Sequence, residues 1–97
     1  MPKKGDIRVL VVDDEKQIAQ ICSHFLKRAG FDVELAYSAG EAIEKVTSDS
    51  RIRIAFLDIR LPDMNGADLL REVRRVRPDL EAIMITAHGT VQDAVKC

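Results

Sequence analysis

Asp13 and Asp14 close the apolar run Ile7-Arg8-Val9-Leu10-Val11-Val12, and Asp58 closes a second run, Ile52-Arg53-Ile54-Ala55-Phe56-Leu57. If the runs are neighbouring parallel strands, three carboxylates arrive at one end of one sheet. Like charges held that close are unfavourable unless a hard cation sits among them or a carboxyl keeps its proton. Oxygen donors with few nitrogen or sulfur donors select Mg2+ or Mn2+. A carboxylate beside such an ion can act as a nucleophile on phosphorus and form an acyl phosphate. Phosphoryl transfer needs in-line positioning and positive charge on the equatorial oxygens more than elaborate covalent machinery. Asp58, standing alone, is the candidate nucleophile; Asp13 and Asp14 are the candidate ion ligands. Thr86, which ends the run Leu80-Glu81-Ala82-Ile83-Met84-Ile85, carries a hydroxyl able to reach a phosphoryl oxygen. Singly, each residue has a structural reading as a cap, a turn former or a strand end. Their convergence favours a joint site.

The elements that would deliver these residues alternate. Residues 7–12 read as a strand apolar on both faces, as a central parallel strand should be. Residues 15–29 read as a helix on the stripe Ile18, Ile21, Cys22, Phe25, Leu26 and Ala29, with Asp14 as its start cap and Gly30 at its end. A shorter, more polar strand follows over 32–37. Ser38-Ala39-Gly40-Glu41 matches a capping box and places a helix at about 39–47. The third strand spans 52–57, and the loop Ile59-Arg60-Leu61-Pro62-Asp63-Met64-Asn65-Gly66 is rich in turn formers. A third helix over roughly 66–76 turns Leu69, Leu70, Val73 and Val76 inward before Pro78. A fourth strand runs to Ile85, and Thr90 starts a fourth helix. Such alternation predicts an α/β fold, a doubly wound parallel sheet with helices on both faces. Right-handed crossovers then put Asp13, Asp14, Asp58 and Thr86 at the sheet's carboxyl edge.

Composition sets the outer bounds. The 97 residues, expected to form one domain over 1–97, are 46% hydrophobic and 32% charged, which excludes a disordered chain. Fifteen Lys plus Arg balance sixteen Asp plus Glu, so no overall field recruits nucleic acid or an anionic membrane. No apolar stretch approaches the ~20 residues of a membrane span. Asp6-Ile7-Arg8 breaks any signal-peptide core, and a cytoplasmic location is expected. Cys22 and Cys97 lack the neighbours of a metal site or catalytic pair. Arg71, Arg74, Arg75 and Arg77 read as a solvated face, His24 as a surface or boundary residue, and His88 lacks a second ligand for zinc.

These motifs resemble the receiver domain of two-component response regulators. Val11-Val12-Asp13-Asp14-Glu15 is similar to its first-strand acidic motif, Leu57-Asp58 through Asn65-Gly66 to the loop around its phosphorylated aspartate, and Ile83-Met84-Ile85-Thr86-Ala87 to its fourth-strand threonine segment. Thr86-Ala87-His88-Gly89-Thr90 resembles the enhancer-binding, nitrogen-regulatory members. The resemblance implies a flavodoxin-like sheet of order 2-1-3-4 and a phosphoacceptor rather than an enzyme. Asp58 would accept phosphate from a sensor histidine kinase. Asp14 and Asp58 would bind Mg2+ directly with the main-chain carbonyl of Arg60, and Asp13 mostly through water. Thr86 would turn toward the phosphoryl group and shift the neighbouring loop and helix, while the small Ala87 leaves the phosphate accessible. A C-terminal output domain is implied as a further partner.

The family also carries a fifth strand and helix and a lysine at a Lys-Pro step, which this sequence is expected to lack; Lys96 does not match that lysine. The fourth strand is then expected to be an open edge, through Ile83, Met84 and Ile85, available for self-association. The alternative reading is accordingly a receiver-like assembly or dimerisation module that does not use phosphate. An aspartate-nucleophile phosphatase wants its two acids two apart after one strand. A flavin or nucleotide binder wants a Gly- or Ser/Thr-rich phosphate loop where this chain has Asp13-Asp14-Glu15.

Overall fold

Four strands and three helices alternate along the computed structural model, which describes residues 6–85. They are β1 (Arg8–Val12), α1 (Lys16–Arg28), β2 (Asp32–Ala36), α2 (Ala39–Ser48), β3 (Ile52–Asp58), α3 (Gly66–Val76) and β4 (Glu81–Ile85). All strand pairs are parallel, and the sheet order is β2-β1-β3-β4, as expected. Thr86, Ala87, His88, Lys96, Cys97 and the anticipated fourth helix lie outside the described residues.

Side chains of β1 alternate between two cores. Leu10 and Val12 join Ala39, Ala42 and Val46 of α2, Leu69 and Val73 of α3, and Ala55 and Leu57 of β3 in one cluster. On the other face, α1 brings Cys22, Phe25 and Leu26 beside Phe56 and Ile85. Because β1 has helices on both sides, its residues Val9 to Val12 are fully or almost fully buried. Leu80, the residue before β4, closes the first cluster. In register, Val12 lies opposite Ala36 and Leu57, and Asp58 opposite Ile85. The carboxyl ends of β1 and β3 are therefore level.

Three expectations need correction. Within α1 the buried positions are Ala19 and Ser23, while Ile21 and Phe25 are 57% and 66% exposed. Small residues let the helix approach the sheet, so the inward face is rotated away from the largest apolar side chains. Asp14 does not cap α1: Glu15 is the N-cap residue and makes no side-chain cap bond. Gly30 does end the helix as expected, at φ 99°, with its amide donating to Lys27 O and that of Phe31 to Leu26 O. Those paired bonds form a Schellman motif, which favours glycine at the left-handed position.

Arg77 is the third correction, since it is not part of a solvated face. Its side chain is 13% exposed and its guanidinium donates to Val46 O at 3.0 Å, Asp49 O at 3.1 Å and Ile52 O at 2.7 Å. It satisfies carbonyls where α2 ends and β3 begins, and Asp79 pairs with it at 3.1 Å. At the amino edge of the sheet, Arg8 pairs with Asp32 at 2.9 Å and Asp49 at 2.6 Å.

Candidate functional site

Where β1 runs out, Asp13 still donates its amide to Ala36 O at 3.1 Å, so the ladder carries it one residue past the strand. Its Oδ1 accepts from the Glu15 amide at 2.9 Å, turning the chain into α1. At the end of β3 the same device recurs: Asp58 Oδ1 accepts from the Arg60 amide at 3.1 Å. Asp side chains favour such turns because their oxygens reach a backbone amide two residues on. Each acid thus bends its own chain with one oxygen, and the level strand ends set the two acids side by side.

Asp13, Asp14 and Asp58 each offer a carboxylate oxygen within 4.8 Å of the others'. Asp13 and Asp58 are buried and Asp14 is exposed, giving the cluster a closed floor and an open rim. Burial holds the Asp13 carboxyl above the usual carboxylate range. The Glu15 amide opposes that rise, and the charges of Asp58 and Asp14 add to it. Asp13 Oδ2 is buried without a hydrogen-bond partner among the described residues. A buried carboxylate oxygen with no donor is unfavourable in low dielectric. An all-oxygen donor set with such an atom fits a hard divalent cation.

Of the residues anticipated from the sequence, Asp13, Asp14 and Asp58 are brought together, and Arg60 is drawn to them by its own amide. Thr86 lies outside the described residues, directly after Ile85, the register partner of Asp58. Around this cluster the loop from Ile59 to Asn65 folds back on itself. The Gly66 amide donates to Ile59 O at 2.8 Å, and Arg60 and Asn65 form an isolated antiparallel bridge. Asn65 caps α3 by accepting from the Asp68 amide at 2.9 Å.

Asp63 also belongs to this region, though the sequence marks it only as part of a turn-rich loop. Asp63 Oδ1 accepts from the Ala39 amide at 3.0 Å and Oδ2 from the Gly40 amide at 3.1 Å. Those two hydrogen bonds hold its carboxyl below the usual range. The signal for it is the acid itself, placed in a loop whose partners lie more than 20 residues earlier.

A parallel β2-β1-β3-β4 sheet with a three-acid cluster at its carboxyl edge defines a class, and comparison with known proteins agrees. The family model for the response regulator receiver domain matches residues 9–97, and this chain belongs to that family. It is thus a receiver domain of phosphorylation-based, two-component signalling. The response regulator SaeR of Staphylococcus aureus (strain USA300) is 36% identical over 87 residues, 90% of this chain and 37% of SaeR. The chain therefore spans well under half the length of the curated relatives it matches. Among solved structures, a CheY-like receiver domain protein of Methanospirillum hungatei JF-1 superposes with a TM-score of 0.81 at 35% identity, over 92% of this chain and 70% of that one. The response regulator TrrA of Thermotoga maritima, solved in complex with Mg2+ and BeF, gives 0.80 at 31% identity, over 86% and 71% of the two chains.

Proposed function

We propose that Asp58 is the phosphoacceptor, charged by the phosphohistidine of a sensor kinase in a Mg2+-dependent reaction. The observation that carries this reading is the approach of three carboxylate oxygens, two of them on buried side chains, to within 4.8 Å. Such a cluster is unfavourable as packing and favourable as a cation site. The Mg2+–BeF complex of TrrA supports the choice of ion and of chemistry for this chain.

In this reading Asp14 and Asp58 hold the ion directly with the Arg60 carbonyl, and Asp13 acts through water. Bound Mg2+ supplies positive charge to phosphoryl oxygens and offsets the mutual repulsion of the acids. The chain's own residues do the rest. One carboxylate oxygen of Asp58 attacks phosphorus; the P–O bond forms as the P–N bond to the imidazole breaks, and the imidazole leaves with a proton from solvent. Asp58 Oδ1, held by the Arg60 amide, keeps the side chain from rotating. Asp13 is oriented in the same way by Glu15. Thr86 follows Ile85 in sequence and serves as the hydroxyl contact to the phosphoryl group and as the switch of the face that follows β4.

No helix among the described residues is long and apolar enough to cross a membrane. The partners of this reading are that kinase and an output domain in the whole protein. An output of the enhancer-binding type rests on Thr86-Ala87-His88-Gly89-Thr90 alone.

Incubation with Mg2+ and a small phosphodonor, followed by peptide mass spectrometry, tests the reading. Label on the peptide carrying Asp58, absent from Asp58→Asn and from samples containing chelator, is expected. Undiminished labelling of Asp58→Asn overturns the assignment.

A further inference from the structure

We propose that Asp63 is a positioning residue for the phosphoacceptor site, tying the loop after β3 to the start of α2 and so fixing the Arg60 backbone beside Asp58. The inference deepens the phosphoacceptor reading and rests on it.

The loop is closed at its foot and tethered at its tip. At the foot, Gly66 donates to Ile59 O, Ile59 donates to Ile85 O at 3.1 Å, and Arg60 donates to Asp58 Oδ1. These bonds hold both ends of the segment but leave residues 61–64 to be placed by something else. Leu61 and Met64 pack against the core shared with α2 and α3. Between them Asp63 reaches out of its own loop, and both of its oxygens accept from consecutive amides of α2.

The receiving end is rigid. Ala39 is fully buried, the Ser38 side chain accepts from the Glu41 amide at 3.2 Å, and Ala42 donates to Ser38 O at 3.1 Å. With the two bonds to Asp63, each of the first four amides of α2 has an acceptor. A carboxylate on two amides of a helix N-terminus makes charge-assisted bonds aligned with the helix dipole. The loop tip is thereby locked to an element that takes no other part in the site.

Position matters because Mg2+ tolerates little departure from octahedral geometry. A main-chain carbonyl can be re-aimed by rotation of its peptide plane. A loop secured only at its foot permits that rotation, and a third anchor at Asp63 opposes it. Partners one shell beyond the ligands act on metal affinity in this way, by roughly 10–100-fold.

The test uses the full chain with Mg2+ and acetyl phosphate, comparing wild type, Asp63→Ala and Asp63→Asn. Labelling rate is followed as a function of Mg2+ concentration, with thermal unfolding measured alongside. For Asp63→Ala the half-saturating Mg2+ concentration is expected to rise about tenfold, while the rate at saturating Mg2+ stays within about twofold. Asp63→Asn, which keeps one acceptor oxygen, should fall between the two. A residue that only caps α2 would lower Tm and the labelled fraction at every Mg2+ concentration without moving the half-saturation point, and that result overturns the proposal. If the alanine variant does not fold, an unchanged half-saturation point in Asp63→Asn has the same force. Wild-type chain that takes no label at Asp58 overturns the phosphoacceptor reading, and this inference with it; labelled wild type matched by both variants overturns the inference alone.

Discussion

At Asp13 the backbone supplies one proton donor, the Glu15 amide, and burial leaves the other oxygen with none among the described residues. The carboxyl is pushed up chiefly by that burial and further by the charge of Asp58. A raised folded-state pKa favours the protonated form in the fold. Its stabilising contribution is therefore complete below the ordinary value of 3.8 and is lost as pH rises through the folded value. Wherever this carboxyl is ionised, the metal-free fold carries an unfavourable buried charge. Asp13→Asn should then raise the Tm of the metal-free chain, by an amount corresponding to about 1 kcal/mol, and reduce the further rise that Mg2+ gives wild type. Calorimetry with and without Mg2+ checks both signs; an Asn variant that is less stable, yet stabilised by Mg2+ as fully as wild type, would contradict both. Gly66 is constrained in a different way. A Cβ there would lie 2.8 Å from Ile59 Cα and 3.1 Å from Asp58 O, both of them backbone atoms that cannot swing aside. Gly66→Ala is expected to lose about 1–3 kcal/mol, read as a lower urea midpoint.

Among the elements, β1, β3 and α3 were legible because their apolar runs and stop signals agree with their tertiary roles. The inward face of α1 was not. Periodicity counts Ile21 and Phe25 as core, whereas close approach to the sheet selects Ala19 and Ser23. Arg77 escaped for a related reason: four arginines in seven residues look like solvent-facing charge, and nothing local announces three carbonyl acceptors more than 20 residues away. The junction of α2, β3 and α3 depends on it. Arg77→Ala should destabilise by about 2 kcal/mol or more, because buried carbonyls lose a charged donor. Arg77→Lys should recover only part of this, since one ammonium cannot span acceptors that a planar fork reaches together. Urea unfolding of the two variants measures the difference, and a full recovery by lysine would count against the role given to the fork.

On the scale of the whole molecule, the two edges of the sheet carry opposite responses to acid. At the amino edge Arg8 hydrogen-bonds Asp32 and holds that carboxyl below the usual range. Stability from this pair is present above the ordinary value of 3.8 and is lost as pH falls through the folded value. Both partners are partly exposed, so the contribution is at most about 1 kcal/mol. Asp32→Asn should flatten the fall in stability between about pH 5 and pH 3, measured by denaturation at a series of pH values. At the carboxyl edge Asp13 responds in the other sense, because burial and the neighbouring charges of Asp58 and Asp14 favour its protonated form. The convergence of Asp13, Asp14 and Asp58 was legible because strand ends are marked in the sequence and parallel pairing brings them level. The tether from Asp63 was not, since its partners are first-turn backbone amides of α2, which no side-chain pattern announces. The phosphoacceptor reading requires that Asp13, Asp14 and Asp58 form one divalent-ion pocket. Titration of the chain with Mg2+, followed through amide NMR shifts, tests it most directly. Saturable changes concentrated at residues 13–15 and 58–60, and lost in Asp14→Asn, are predicted; small changes scattered over the exposed acids, or a response unaffected by that substitution, would contradict it.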